Sequence, residues 1–117
     1  MVDKNVTMNS FLEINLIREL EKQPQLSQRQ LSKRCHVSLG SIHYCLSALI
    51  EKGFIKAINF KNSKNKLAYS YILTPTGIAH KKKITMEFLK RKQLEFELIK
   101  TEIDELEGEL NQMNQKT

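Results

Sequence analysis

Ser38, Gly40, Ser41, His43, Tyr44 and Ser47 carry the most specific chemistry in the chain. If residues 39–52 are helical, these side chains share the side opposite Ile42, Cys45 or Leu46, Leu49 and Ile50. The polar side offers hydroxyls, an imidazole, a phenol and a glycine, and no carboxylate before Glu51 near its end. A shallow, polar helix side without negative charge suits the major groove of duplex DNA, where base edges present distinct patterns of donors and acceptors. Gly40 and Ser41 permit close approach, and His43 and Tyr44 can hydrogen-bond base edges or phosphates. Ser27, Gln28 and Arg29, at the start of a preceding helix, can meet the phosphate backbone through side chains and free N–H groups. Lys61, Lys64, Asn65 and Lys66 would bring a basic loop to the flanking backbone or minor groove.

Other chemistries find less support. His36, His43 and His80 lack the i, i+3 or i, i+4 spacing of a metal site, and no carboxylate or cysteine set surrounds them. There is no Ser/His/Asp arrangement with a nucleophile elbow and no glycine-rich phosphate loop. We therefore expect no enzyme activity, no metal and no cofactor. Cys35 and Cys45 admit two readings, a redox sensor or small apolar fillers in helix packing, and the second is favoured. Their usage, and the lack of a signal peptide or membrane-length apolar run, lead us to expect a cytoplasmic protein with no membrane partner.

Local signals say which elements must hold these residues. Ser10 and Glu13 have capping-box spacing, so a first helix is expected over 11–22, with Ile14, Ile17 and Leu20 as its apolar face and Pro24 beyond its end. Ser27 and Gln30 form a second box, flanked by the staple pair Leu26 and Leu31, and start a helix over 28–34. Ser38 is the expected N-cap of the third helix, with Val37 and Ile42 as its staple and Gly53 as its stop. Residues 54–61 and 67–73 are rich in aromatic and β-branched residues, and the polar run between them predicts a hairpin. Its turn type stays open, because no Asn-Gly pair occurs there. Three helices followed by such a hairpin read as a winged helix-turn-helix.

A last helix should open at Thr74-Pro75, with Thr74 as N-cap, Pro75 at its first position and Leu73 with Ile78 as a staple. Ile78 and Ala79 are expected to pack its first turns onto helix one. Farther on, Thr85, Leu89, Lys92, Phe96, Ile99, Ile103, Leu106, Leu110 and Met113 recur at alternating steps of four and three, the seam of a coiled coil. Such a seam outruns the surface of a small domain and calls for a partner.

The 117 residues, 40% hydrophobic, allow one small core plus an extension. The net charge of +6 is carried entirely by residues 1–74, where eleven Lys/Arg face five Asp/Glu, whereas eight of each balance in residues 75–117. Residues 78–93 are net positive and 94–112 net negative, so two copies of this helix match opposite charges when antiparallel. The expected fold class is mainly α, an α+β winged helix: a three-helix helix-turn-helix core, a two-stranded β-hairpin wing and a long C-terminal coiled-coil helix. Residues 1–74 form the DNA-binding domain, and 75–117 a dimerisation helix with a frayed tail.

Gln30-Leu31-Ser32-Lys33-Arg34, Val37-Ser38-Leu39-Gly40, Tyr44-Cys45-Leu46 and Ala48-Leu49-Ile50-Glu51-Lys52-Gly53 have a familiar order. With the unbroken run Asn59-Phe60-Lys61-Asn62-Ser63-Lys64-Asn65-Lys66-Leu67-Ala68-Tyr69, then Leu73-Thr74-Pro75 and Gly77, the chain resembles the MarR-type winged-helix regulators associated with bacterial exopolysaccharide (EPS) gene clusters. The resemblance spans residues 11–110. It implies a bacterial transcription factor acting on genes for surface polysaccharide. Carried over residue by residue, it assigns base reading to Ser38, Gly40, Ser41, His43, Tyr44 and Ser47, and wing contacts to Lys64, Asn65 and Lys66. The chain departs from typical members in two places. Only about ten residues precede the expected first helix, where those proteins carry an extra helix, so dimerisation must rest on the C-terminal helix. The usual wing Asp and Arg give way to Asn62 and Lys66, which favours lysine–phosphate contacts over insertion of an arginine.

The expected function is a dimeric, sequence-specific regulator that binds double-stranded DNA, with Thr85, Leu89, Phe96, Ile99, Ile103, Leu106 and Leu110 joining two copies. The alternative is an adaptor that binds a component of the transcription machinery and touches DNA only nonspecifically.

Overall fold

The computed structural model describes residues 4–61 and 63–116, with side chains from Ser10 onward. The elements are helices α1 (Lys4–Lys22), α2 (Gln28–Cys35) and α3 (Leu39–Glu51), strands β1 (Ile55–Lys61) and β2 (Leu67–Leu73), and helix α4 (Pro75–Lys116). The expected mainly α architecture is the one observed.

Helix α1 begins at Lys4 rather than at the expected Phe11. A Ser-x-x-Glu box contributes only about 1 kcal/mol. No proline or glycine lies among residues 4–22 to enforce a stop, and Ser10 lies within the helix. Where the caps coincide with a break in apolar periodicity, they hold. Ser27 Oγ accepts the N–H of Gln30 at 3.1 Å, while Gln30 Oε1 accepts the N–H of Ser27 at 2.8 Å. Leu26 and Leu31 beside this box are both buried. Ser38 Oγ likewise accepts the N–H of Ser41 at 3.1 Å. Between α2 and α3 the chain turns through His36 in the left-handed region (φ 56°). That turn is closed by Ser32, whose carbonyl accepts the N–H of Val37 at 3.2 Å and whose hydroxyl donates to the Val37 carbonyl at 2.6 Å.

The end of α3 is a Schellman arrangement. Gly53 (φ 78°) donates to the Ile50 carbonyl at 3.0 Å and Phe54 to the Leu49 carbonyl at 2.9 Å. The chain then enters an antiparallel hairpin with Ile55 opposite Leu73, Ala57 opposite Tyr71 and Lys61 opposite Leu67. Phe54, expected as the first strand residue, lies in the turn. At the hairpin tip Asn65 adopts the left-handed conformation (φ 60°), which asparagine tolerates better than most residues.

Leu16 and Ile17 of α1, Leu31 of α2, Ile42, Leu46 and Leu49 of α3, and Ile55 of β1 are fully buried side chains. Burial contributes about 1.5–3 kcal/mol for each. Tyr71 joins the same core from β2, with Leu73 packed against it, while Leu67 and Tyr69 nearer the hairpin tip are exposed. On α3, Ile42, Cys45, Leu46 and Leu49 point inward as expected, but Ile50 is 37% exposed. The Schellman turn after Ile50 ends the helix before that flank is covered.

The first turn of α4 departs from expectation. Ile78 is 59% exposed and Ala79 is also exposed, whereas Gly77 and Ile84 are buried and His80 half-buried. Hydroxyl bonds and a close backbone approach set the rotation of this helix, not the expected Leu73–Ile78 staple. Thr74 Oγ caps the N–H of Gly77 at 3.0 Å. The hydroxyls of Thr74 and Thr76 both donate to the Gly53 carbonyl, at 2.5 and 3.0 Å. Gly77 then lies against the Phe54 backbone. His80 stacks on Phe54 with ring centroids 4.1 Å apart and meets Glu13 of α1 at 3.3 Å, and Lys81 pairs with Glu21.

Compactness divides the chain within α4, into Met1–Thr85 and Met86–Thr117. In the second unit the large apolar residues of the seam are all exposed, from Ile103 at 48% to Phe96 and Leu106 at 63%. Lys92, the charged member of the heptad series, pairs with Glu95 at 3.2 Å and lies 5.2 Å from the Phe88 ring centre. Leu94 and Leu98 are equally exposed and lie off the seam, which the heptad pattern alone does not explain.

Candidate nucleic-acid interface

Helix α3 presents the residues expected on its outer side. Gly40, Ser41, His43, Tyr44 and Ser47 are all exposed, Tyr44 by 74%. A Cβ on Gly40 would meet only Ser38 Oγ, at 3.9 Å, so nothing in the fold itself requires glycine there. Ser38 and Ser41 are less free than their exposure suggests, because their hydroxyls lie 2.9 Å apart and Ser38 also caps the helix. The strip's available polar groups are therefore concentrated on His43, Tyr44 and Ser47. On its other flank, Tyr44 borders a cavity of about 520 Å³ between α3 and α1, lined also by Leu12, Glu13 and Cys45.

The start of α2 is tied to this strip. Gln28 Oε1 lies 3.3 Å from His43 Nδ1, and Gln28 Nε2 donates to the Tyr71 hydroxyl at 3.5 Å. Arg29 is exposed beside it, while the polar groups of Ser27 are occupied by the capping box. Tyr71 escaped notice as a site residue in the sequence. The alternation Leu67, Tyr69, Tyr71, Leu73 puts both tyrosines on one face of β2 and does not tell them apart; only Tyr71 reaches the core, while Tyr69 is 49% exposed. At the far end of α2, Arg34 reaches back to α1, bonding Glu19 at 3.3 Å and Gln23 at 3.1 Å. That clamp keeps α2 in register with the core.

Lys61 ends β1 and is exposed, as are Lys64, Asn65 and Lys66 in the connection to β2. Asn62 lies outside the described residues. Basic side chains thus cluster at the free end of the hairpin, where backbone cannot pack against the helices.

Neither cysteine forms a disulfide, and their environments suit filling space better than reacting. Burial pushes the Cys45 thiol up to about 12, with the Glu13 charge and Cys35 adding to the shift and Lys52 opposing it. Burial, and then Glu19, raise Cys35 as well. A raised thiol pKa favours the protonated form in the folded state. Its contribution to stability is therefore complete below the unfolded thiol range and is lost as pH rises through the folded value near 12. We expect alkylation of Cys45 in the native protein to reach half its limiting rate far above the pH seen for a free thiol. A profile centred near the ordinary thiol range would contradict this. Among the described residues no group of three or more His, Cys, Asp or Glu is placed to hold a metal ion, and no helix is long and apolar enough to cross a membrane.

Residues 12–56 match a family model described as winged helix-turn-helix DNA-binding. No curated protein sequence matches the chain. Among solved structures, the chain is similar to TA0346 of Thermoplasma acidophilum, described as a transcriptional regulator, with 19% identity and a TM-score of 0.66 over 80% of this chain and 94% of that one. It is also similar to Staphylococcus aureus MarR, solved in complex with salicylate and kanamycin, with 22% identity and a TM-score of 0.52 over 69% of this chain. The match spans 53% of that protein, about half its length. At these identities the likeness is one of fold. Local caps, strand register and comparisons converge on one conclusion: the chain has the winged helix-turn-helix fold, and its residues 12–56 are similar to DNA-binding domains of that fold.

Proposed function

We propose that two copies of this chain bind double-stranded DNA sequence-specifically as a transcriptional regulator. The observation that carries the reading is the exposed strip Gly40, Ser41, His43, Tyr44 and Ser47 on α3, which contains no carboxylate. Gly40 adds to it. A glycine in a helix gives up roughly 0.5–1 kcal/mol relative to alanine. Since a side chain would fit at Gly40 without a clash inside the protein, close approach of another molecule is a reason for its place. In this reading α3 enters the major groove, and Ser27, Gln28 and Arg29 approach the backbone at the start of α2. Lys61, Lys64, Asn65 and Lys66 reach the flanking backbone or minor groove.

Dimerisation through Thr85, Leu89, Phe96, Ile99, Ile103, Leu106 and Leu110 would space two recognition helices for half-sites about 34–36 Å apart, or a multiple of that. Support comes from the uncovered apolar residues of α4 and from the charge reversal along it, which favours antiparallel pairing. The resemblance to EPS-associated regulators makes surface-polysaccharide genes the target, in a cytoplasmic setting.

Selection of bound sequences from random duplex DNA tests the reading. A motif with two-fold symmetry is expected. Binding without sequence preference at physiological salt would instead favour the adaptor. Within a selected site, Tyr44→Ala should relax discrimination at one base pair by about 1–3 kcal/mol. Lys64→Ala should weaken specific and random duplexes alike and reduce the salt slope by about 1. Equal losses on both kinds of duplex for the two variants would contradict this division of roles.

A further inference from the structure

The geometry points to His43 as a hydrogen-bond acceptor that reads an exocyclic amino group of adenine or cytosine in the major groove, with Gln28 as the positioning residue that sets its tautomer. This inference rests on the DNA-binding reading above and refines the part played by two of its residues.

The Gln28 side chain is held at both ends. Its Nε2 donates to the Tyr71 hydroxyl at 3.5 Å, which leaves Oε1 facing His43 Nδ1 at 3.3 Å. Tyr71 is a firm anchor: it is 7% exposed, its N–H donates to the Pro24 carbonyl at 2.9 Å, and it pairs with Ala57 across the hairpin. An amide oxygen carries no hydrogen, so the bond to His43 exists only when Nδ1 supplies one. A neutral imidazole has a single N–H. Nε2, across the ring of an exposed side chain, is then a bare lone pair. A histidine free in water favours the opposite tautomer, so the arrangement is imposed by the fold.

The consequence for recognition follows from the inventory of the duplex. Phosphate oxygens, guanine N7 and O6, and thymine O4 are all acceptors and repel a lone pair. In the major groove the donors are the N6 amino group of adenine and the N4 amino group of cytosine. His43 in this tautomer therefore reads a base and does not grip the backbone. Gln28, engaged at its oxygen and through one of its two amide hydrogens, keeps a single N–H for a phosphate, and exposed Arg29 beside it supplies the charged contact.

Long-range 15N–1H spectra of the full chain at about pH 8.5, where imidazole is neutral, test the tautomer without DNA. His43 should show the Nδ1–H form, and Gln28→Ala should shift it toward Nε2–H while the fold, followed by amide chemical shifts, is retained. An Nε2–H form in the parent protein would overturn the inference. On a selected duplex, replacing adenine by purine, or cytosine by an analogue lacking the amino group, should cost about fivefold in affinity at one position of each half-site. His43→Ala should be indifferent to that replacement. A chain that selects a sequence but tolerates removal of every amino group overturns this inference alone. A chain that selects no sequence overturns the DNA-binding reading and this inference with it.

Discussion

Gly77→Ala is expected to destabilise the winged-helix unit by about 3 kcal/mol, which for a domain of this size lowers Tm by more than about 10 °C. A Cβ at Gly77 would lie 2.8 Å from the Phe54 carbonyl carbon, 3.1 Å from its Cα, and closer still to its oxygen. That oxygen cannot move aside cheaply, because it accepts the Thr74 N–H at 3.0 Å and sits between the end of α3 and the start of β1. The obstacle is backbone rather than a flexible side chain, so relief requires shifting the first turn of α4. That shift would strain the Thr74 and Thr76 bonds to the Gly53 carbonyl and the stacking of His80 on Phe54. Gly108→Ala provides the comparison. Nothing lies within 4 Å of a Cβ there, so the same change should strengthen α4 by up to about 1 kcal/mol. Thermal unfolding of the two variants should move in opposite directions. A Gly77→Ala protein melting within about 2 °C of its parent would show that the first turn of α4 can leave Phe54 at negligible cost.

The second large effect belongs to the proposed dimer. Ile103→Lys places a charge at a seam position that is 48% exposed in the single chain and would be covered in the pair. Sedimentation at micromolar concentration should show the parent as a dimer and the variant as a monomer. Affinity for a two-half-site duplex should fall by roughly 10²–10⁴, because the second recognition helix loses its effective concentration. Thr101→Lys on the outer side of α4 should leave both measurements unchanged. If the pairing is antiparallel, the positive 78–93 stretch of one copy lies along the negative 94–112 stretch of the other, and raising salt should weaken association. A parent protein that sediments as a monomer, or an Ile103→Lys variant that remains a dimer, would remove this arrangement. Exposure of Leu94 and Leu98 makes the second outcome informative, since it would direct attention to the other face of the helix.

Much of this molecule was legible in its residues because the decisive signals are local. The Ser27–Gln30 box, the Ser38 cap, Gly53 after α3 and Thr74-Pro75 before α4 act within a turn or two of chain, and each lies where the structure has it. Helical periodicity likewise separated Ile42 and Leu49 from His43, Tyr44 and Ser47, since the spacing of a helix dictates its faces. Where a local signal was weak, as at Ser10, it misplaced a boundary, because a cap contributes too little to halt a helix that has no other reason to stop. What only the tertiary structure decided are contacts between residues far apart in the chain. The rotation of α4 is set by the Phe54 carbonyl against Gly77, not by the apolar residues beside it. The tie from His43 through Gln28 to Tyr71 joins two helices and a strand. No pattern in the chain encodes such a bond directly, because its partners meet only after hydrophobic burial has brought α2, α3 and β2 onto one core.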